Sequence, residues 1–151
     1  MIQDEWARNL TKKMPGSDPR KMVRINKLMN VAIPDALIPQ HSFEGLISKY
    51  RLPDPDDRHV MAAAVAGKVE GIVTLNIRDF PAAVLKPHGV RAIHPDELVL
   101  LLCSVSVEKV VAALTAQASM LTNPQRSGAD VLASLKKAGL SGTADLLSRF
   151  L

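Results

Sequence analysis

The sequence predicts an α/β fold, a parallel sheet covered by helices, followed by an α-helical extension. Three observations predict it. Apolar, β-branched runs of strand length at 71–75 and 89–93 alternate with helical patterns through the middle of the chain. From His94 onward every apolar pattern has a helical period. Among 151 residues, 47% are apolar but only 3% aromatic, so the core must come from Ala, Leu, Val, Ile and Met, which suits helices. The length fits one compact unit with an appendage. We place an α/β part over residues 2–103 and a helical extension over 104–151.

The elements follow in order. Residues 2–13 read as a helix, with Asp4 and Glu5 in its first turn and Arg8, Lys12 and Lys13 in its last, matching the helix dipole. Pro15-Gly16 ends it, and Ser17 or Asp18 caps a second helix with Pro19 at its first position. Met22, Ile25, Met29 and Ile33 keep a helical period on one face until Pro34. Residues 35–38 read as a short strand and 42–49 as a short helix. A proline-punctuated acidic loop, 51–57, runs into an Ala-rich helix, Arg58–Ala66, stopped by Gly67.

Strand 71–75 is apolar enough to be buried on both faces. The loop 76–80 and a short helix opened by Pro81 lead to the second strand, 89–93. One helix spans Pro95 to about Cys103, and Ser106 caps another, Val107 to Leu121. A turn at 123–128 precedes two short helices, 129–138 and 142–150, separated by Gly139.

Composition excludes several classes. One Trp, one Tyr and three Phe provide no ladder of stacking rings for single-stranded nucleic acid. A net charge of +4, from 19 basic and 15 acidic residues, permits contact with a polyanion without demanding it. A single cysteine, Cys103, excludes an intramolecular disulfide and reads as a small buried hydrophobe. Glu, Lys and Pro interrupt each apolar stretch, so no membrane span is expected, and residues 1–6 have no leader character. A cytoplasmic, reduced protein is the expectation.

The acidic residues carry the chemistry. Asp54, Asp56 and Asp57 crowd the mouth of the Ala-rich helix, and Asp79 sits just past the carboxyl end of strand 71–75. Loops beyond strand carboxyl ends form the ligand crevice of open α/β sheets. Carboxylates converging there suit Mg²⁺ or Mn²⁺, which prefer oxygen ligands. Asp is also a favoured helix cap, and spacing alone favours capping over metal binding. His59 reads as a packing or hydrogen-bonding residue, His94 as a turn residue before Pro95. Arg58, Arg78 and Lys86 lie near the strand-end face, where they contact phosphates or are scattered surface charge.

The stretch Leu52-Pro53-Asp54-Pro55-Asp56-Asp57-Arg58-His59-Val60-Met61, followed by Ile72-Val73-Thr74-Leu75-Asn76-Ile77-Arg78-Asp79-Phe80-Pro81 and His94-Pro95-Asp96-Glu97, resembles the PIN domain family. It is most similar to the bacterial branch with a C-terminal helical extension, related to VapC-type toxins. The likeness runs from about Asp4 to Leu102 and continues more loosely to the C-terminus. Each motif alone is unspecific; their order, spacing and intervening strand match in combination.

The resemblance implies a three-layer α/β/α fold and a Mg²⁺- or Mn²⁺-dependent endoribonuclease, the toxin of a toxin–antitoxin pair. RNA would be the substrate and a cognate antitoxin the partner. It assigns Glu5, Asp57 and Asp79 as metal-binding, catalytic carboxylates. Asn76 is the polar neighbour at the same strand end. Asp54, Asp56 and Thr74 would support the site from behind.

One departure from the family stands out. A PIN domain opens with a central strand ending in Asp, and this sequence starts at the helix that follows. The resemblance therefore implies an N-terminally truncated domain that has lost one carboxylate, with weak or absent metal binding and impaired cleavage. It also implies an open groove between 35–38 and 71–75, to be filled by a second copy, a partner peptide or collapse of the flanking elements; a homo-oligomer is the expectation. The alternative is a non-catalytic oligomerising or partner-binding module. A phosphatase-like α/β hydrolase fits less well, because no Asp follows an N-terminal strand.

Overall fold

In a computed structural model, residues 2–13, 19–121 and 124–151 are described. The expected break at Pro15-Gly16, the caps Ser17 and Asp18, and Asn123 at the start of the expected turn lie outside the described residues. The chain divides into two compact units, Met1–Ile72 with Arg78–Arg91, and Val73–Ile77 with Ala92–Leu151.

In the first unit α1 (Ile2–Lys13) and α2 (Pro19–Ala32) form where expected. Gln3 Nε2 donates to Asn30 Oδ1 at 2.7 Å and ties one helix to the other. The apolar face expected on α2 is buried only at Met22; Met29 and Ile33 are 49% and 63% exposed. Four basic residues, Arg20, Lys21, Arg24 and Lys27, stand exposed on the same helix, which carries no acidic residue.

The strand expected at 35–38 is not formed. Pro34–Ala36 is a 3₁₀ turn closed by Ala36 N–H on the Ile33 carbonyl at 3.1 Å, and extended residues carry the chain to Pro39. Prolines at both ends of so short a segment leave room for a turn rather than a ladder. The helical turns expected over 42–49 appear as two 3₁₀ segments, Gln40–Ser42 and Glu44–Lys49.

A further 3₁₀ turn, Pro55–Asp57, leads into α3 (Arg58–Ala66). His59, Met61, Ala62, Ala63 and Ala64 of α3 are buried, and the three small alanines let the helix lie close on the Glu44–Lys49 turn. Gly67 is the C-cap of α3, and a Cβ there would collide with the Ile38 side chain. It keeps right-handed geometry, and Lys68, at φ 52°, takes the left-handed position instead. Pro81 precedes α4 (Ala82–Leu85), and the Tyr50 ring meets His88 edge-on at 5.3 Å.

The strands β1 (Gly71–Val73) and β2 (Arg91–Ile93) form a two-stranded sheet, shorter than the sequence suggests. Arg91 N–H bonds the Glu70 carbonyl at 3.1 Å, and Thr74 N–H bonds the Ile93 carbonyl at 3.0 Å. Donors advancing in the same direction on both strands make the pairing parallel. The mixed α/β class therefore holds.

The second unit contains α5 (Pro95–Met120), α6 (Gly128–Lys137) and α7 (Ser141–Leu147). Its core is Cys103, Leu114, Ala118, Val131 and Leu147. α5 breaks at Ser106, whose backbone is extended (φ −162°, ψ 101°). Ser106 Oγ accepts the Lys109 N–H at 3.4 Å, so it caps the second half as expected. Ser127 and Asp130 close a reciprocal capping box on α6. Gly139, at φ 91°, turns the chain between α6 and α7. Cys103 is buried, and burial pushes its thiol pKa up.

One expectation is corrected here. The helical run Pro95–Met120, 26 residues long with an 18-residue stretch of mean hydropathy 2.0, is long and apolar enough to cross a membrane. Its charged residues beyond the first turn, Glu108 and Lys109, are adjacent, so they interrupt the apolar stretch once rather than dividing it repeatedly. Only Cys103, Leu114 and Ala118 of this run are buried, while Leu101, Leu102 and Val105 are exposed.

Candidate metal centre

Pro53-Asp54-Pro55 fixes the start of the site. Pro55 opens the 3₁₀ turn, and Asp54 caps it by accepting the Asp56 N–H on Oδ1 at 2.9 Å. The turn delivers Asp57 to the N-cap of α3. Asp57 could satisfy the helix, but its side chain makes no capping hydrogen bond. Its carboxylate instead meets Asp54 and Asp79. Ligand oxygens of these three residues lie within 4.8 Å of one another. Asp79 arrives on the 3₁₀ turn Ile77–Asp79.

The electrostatics follow from this crowding. The Asp57 pKa is raised, first by burial, then by the negative charges of Asp54, Asp79 and Glu5; His59 opposes the rise. Glu5, on α1, adds its charge from outside the Asp54–Asp57–Asp79 trio. Its Oε2 lies 3.0 Å from His59 Nε2. His59 Nδ1 donates to the Asp56 carbonyl at 2.6 Å, since a carbonyl oxygen can only accept.

The sequence-predicted residues sort accordingly. Asp54 stands beside Asp57 and Asp79 rather than behind them. Asp56 lies outside the trio, is exposed, and contributes its carbonyl to His59. Thr74 and Asn76 belong to the other compact unit, where Asn76 N–H donates to Thr74 Oγ1 at 3.0 Å. Arg58 is half-buried, with its Nε shielded from solvent, and Arg78 is exposed. The contact between Glu5 and His59 was not foreseen; no spacing rule links residues so far apart in sequence.

The donor set fits a hard divalent cation. Octahedral Mg²⁺ places oxygen ligands about 3–4 Å apart, a spacing that small side-chain rotations of the trio supply. Burial first, and then the negative charges of Asp54 and Asp79, raise the Asp57 pKa, and a cation held there would neutralise that charge.

Comparison with known proteins gives two matches. Residues 95–149 match the family model described as VapC50 C-terminal domain. A protein of Mycobacterium tuberculosis (strain ATCC 25618 / H37Rv) named "Putative ribonuclease VapC50" is 52% identical over 44 residues, 29% of this chain and 26% of that protein. The match thus spans about a quarter of the relative's length. No solved structure matches.

Proposed function

Both matches support a VapC-like PIN toxin family, and from that premise we propose that the chain is a metal-dependent endoribonuclease of a toxin–antitoxin system. The observation that carries the reading is the approach of Asp54, Asp57 and Asp79 at a helix mouth, with Asp57 spared from capping. RNA is the proposed substrate, a cognate antitoxin the partner, and the cytoplasm the place of action. The three-layer PIN arrangement over 2–103, with 104–151 as its extension, belongs to the same proposal, as does self-association.

Asp57, Asp79 and Glu5, with Asp54 beside them, would hold Mg²⁺ or Mn²⁺. When bound, such an ion lowers the pKa of a coordinated water and neutralises charge on a phosphoryl oxygen. The chain's own residues do the rest. Asp54 fixes the turn that aims Asp57, and His59 holds Glu5. The exposed basic residues of α2 and Arg78 supply positive charge for an RNA backbone, which contributes affinity without sequence preference. Binding of the cation is expected to be weak, because Asp54 already commits one oxygen to the Asp56 N–H.

The test is a Mn²⁺ titration of the purified chain, followed by calorimetry, alongside cleavage of a mixed RNA substrate in Mg²⁺. Saturable uptake and cleavage, both lost in Asp57→Asn and Asp79→Asn, are expected. Absence of uptake in the unmodified chain, or an Asp57→Asn chain that still cleaves, refutes the proposal.

A further inference from the structure

We propose that His59 is a positioning residue that brings the α1 carboxylate of Glu5 to the acidic trio, an inference that rests on the metal-centre reading and deepens it. The geometry is a bridge through one ring. His59 is only 8% exposed. On one side its Nδ1–H bonds the Asp56 carbonyl at 2.6 Å, inside the turn that carries Asp54 and Asp57. On the other its Nε2 lies 3.0 Å from Glu5 Oε2.

Nε2 is fully shielded from solvent and has no hydrogen bond of good angle. A buried polar atom needs a partner, and the Glu5 carboxylate is the group within reach. The two groups touch at 3.0 Å but are not aligned as a hydrogen bond; the tie requires Nε2 to carry a proton and the Glu5 side chain to swing into line with it.

Imidazole suits this task for a geometric reason. Its two nitrogens point away from each other on a rigid ring, so fixing one fixes the direction of the other. The Asp56 carbonyl orients the ring, and the ring then orients Glu5. A half-exposed Glu would otherwise sample many rotamers. Held by one oxygen, it keeps the other for a cation. The same turn carbonyl that sets His59 belongs to the loop that sets Asp54 and Asp57, so all these carboxylates share one frame. Such supporting partners around a metal site tune affinity by about tenfold or more.

The test uses the full chain and the variants His59→Ala, Glu5→Gln and the double variant. In denaturant unfolding without metal, the two substitutions are expected to couple, the double variant losing less than the sum. In Mn²⁺ titration, His59→Ala is expected to weaken binding about tenfold, as Glu5→Gln does, with no further loss in the double variant. Additive losses in both measurements, or wild-type Mn²⁺ affinity in His59→Ala, overturn the proposal. If Asp57→Asn leaves Mn²⁺ uptake unchanged, the metal-centre reading falls. The metal-free cycle then judges the His59–Glu5 tie alone, and zero coupling overturns it. Should His59→Ala not fold, the His59 Nε2 nitrogen resonance is compared between the unmodified chain and Glu5→Gln. A shift of that resonance supports the tie, and an unmoved resonance overturns it.

Discussion

Asp96 Oδ1 accepts the backbone N–H of Thr143 at 2.7 Å, joining the first turn of α5 to the first turn of α7 across 47 positions. Oδ2 of the same carboxylate accepts the Gly142 N–H at 3.0 Å. One side chain therefore caps a helix other than its own. α7 spans only seven residues, too short to persist without tertiary support.

Asp96→Ala leaves two amide groups at the start of α7 without their acceptor. A loss of about 1–2 kcal/mol is expected in denaturant unfolding. Asp96→Asn retains an acceptor and should cost less. Equal stability of the unmodified chain and Asp96→Ala would show that water replaces the cap.

The same carboxylate gives a pH dependence. Desolvation opposes its charge, but the donors of Thr143 and Gly142 outweigh it and hold the pKa below its ordinary 3.8. A depressed folded value means that stability is complete above the unfolded value and is lost as pH falls through the folded one. Acid titration of the helical unit should therefore be steeper below pH 3.8 in the unmodified chain than in Asp96→Asn. Parallel curves would contradict this.

Asp57 behaves in the opposite sense. Its pKa is raised above 3.8, first by burial. Stability is then complete below the unfolded value and declines as pH rises through the folded one. Asp57→Asn removes that decline. At pH 7 without metal, its thermal midpoint should exceed that of the unmodified chain by about 1–3 °C, a small figure because solvent screens the half-exposed cluster. A lower midpoint would mean that the carboxylate makes a stabilising contact.

Much of this fold was legible where local chemistry decides. Pro19 begins α2, Gly67 ends α3, and Ser106 marks a break that its own hydroxyl caps. The parallel pairing of 71–73 with 91–93 was readable from two β-branched runs around a helix. The segment 35–38 was not legible, because a short apolar run becomes a strand only if a neighbour supplies a ladder. The burial of α2 was overstated for a related reason: periodicity shows which residues share a face, not whether anything covers it. At the site, the loops pointed to the acidic mouth of α3 and to Asp79, while the choice of Asp57 within that mouth came from the family resemblance. The place of Asp54 depended on a turn between two prolines whose direction no pattern reveals. The meeting of Glu5 with His59 depended on the packing of α1.

The break at Ser106 also bears on length. A continuous helix of 26 residues would extend about 39 Å, more than the roughly 30 Å of a bilayer's hydrocarbon core. Divided at Ser106, it becomes two rods of about 17 and 21 Å, each shorter than that core. The extended backbone at one serine thus converts a stretch of spanning length into two pieces that individually do not reach across.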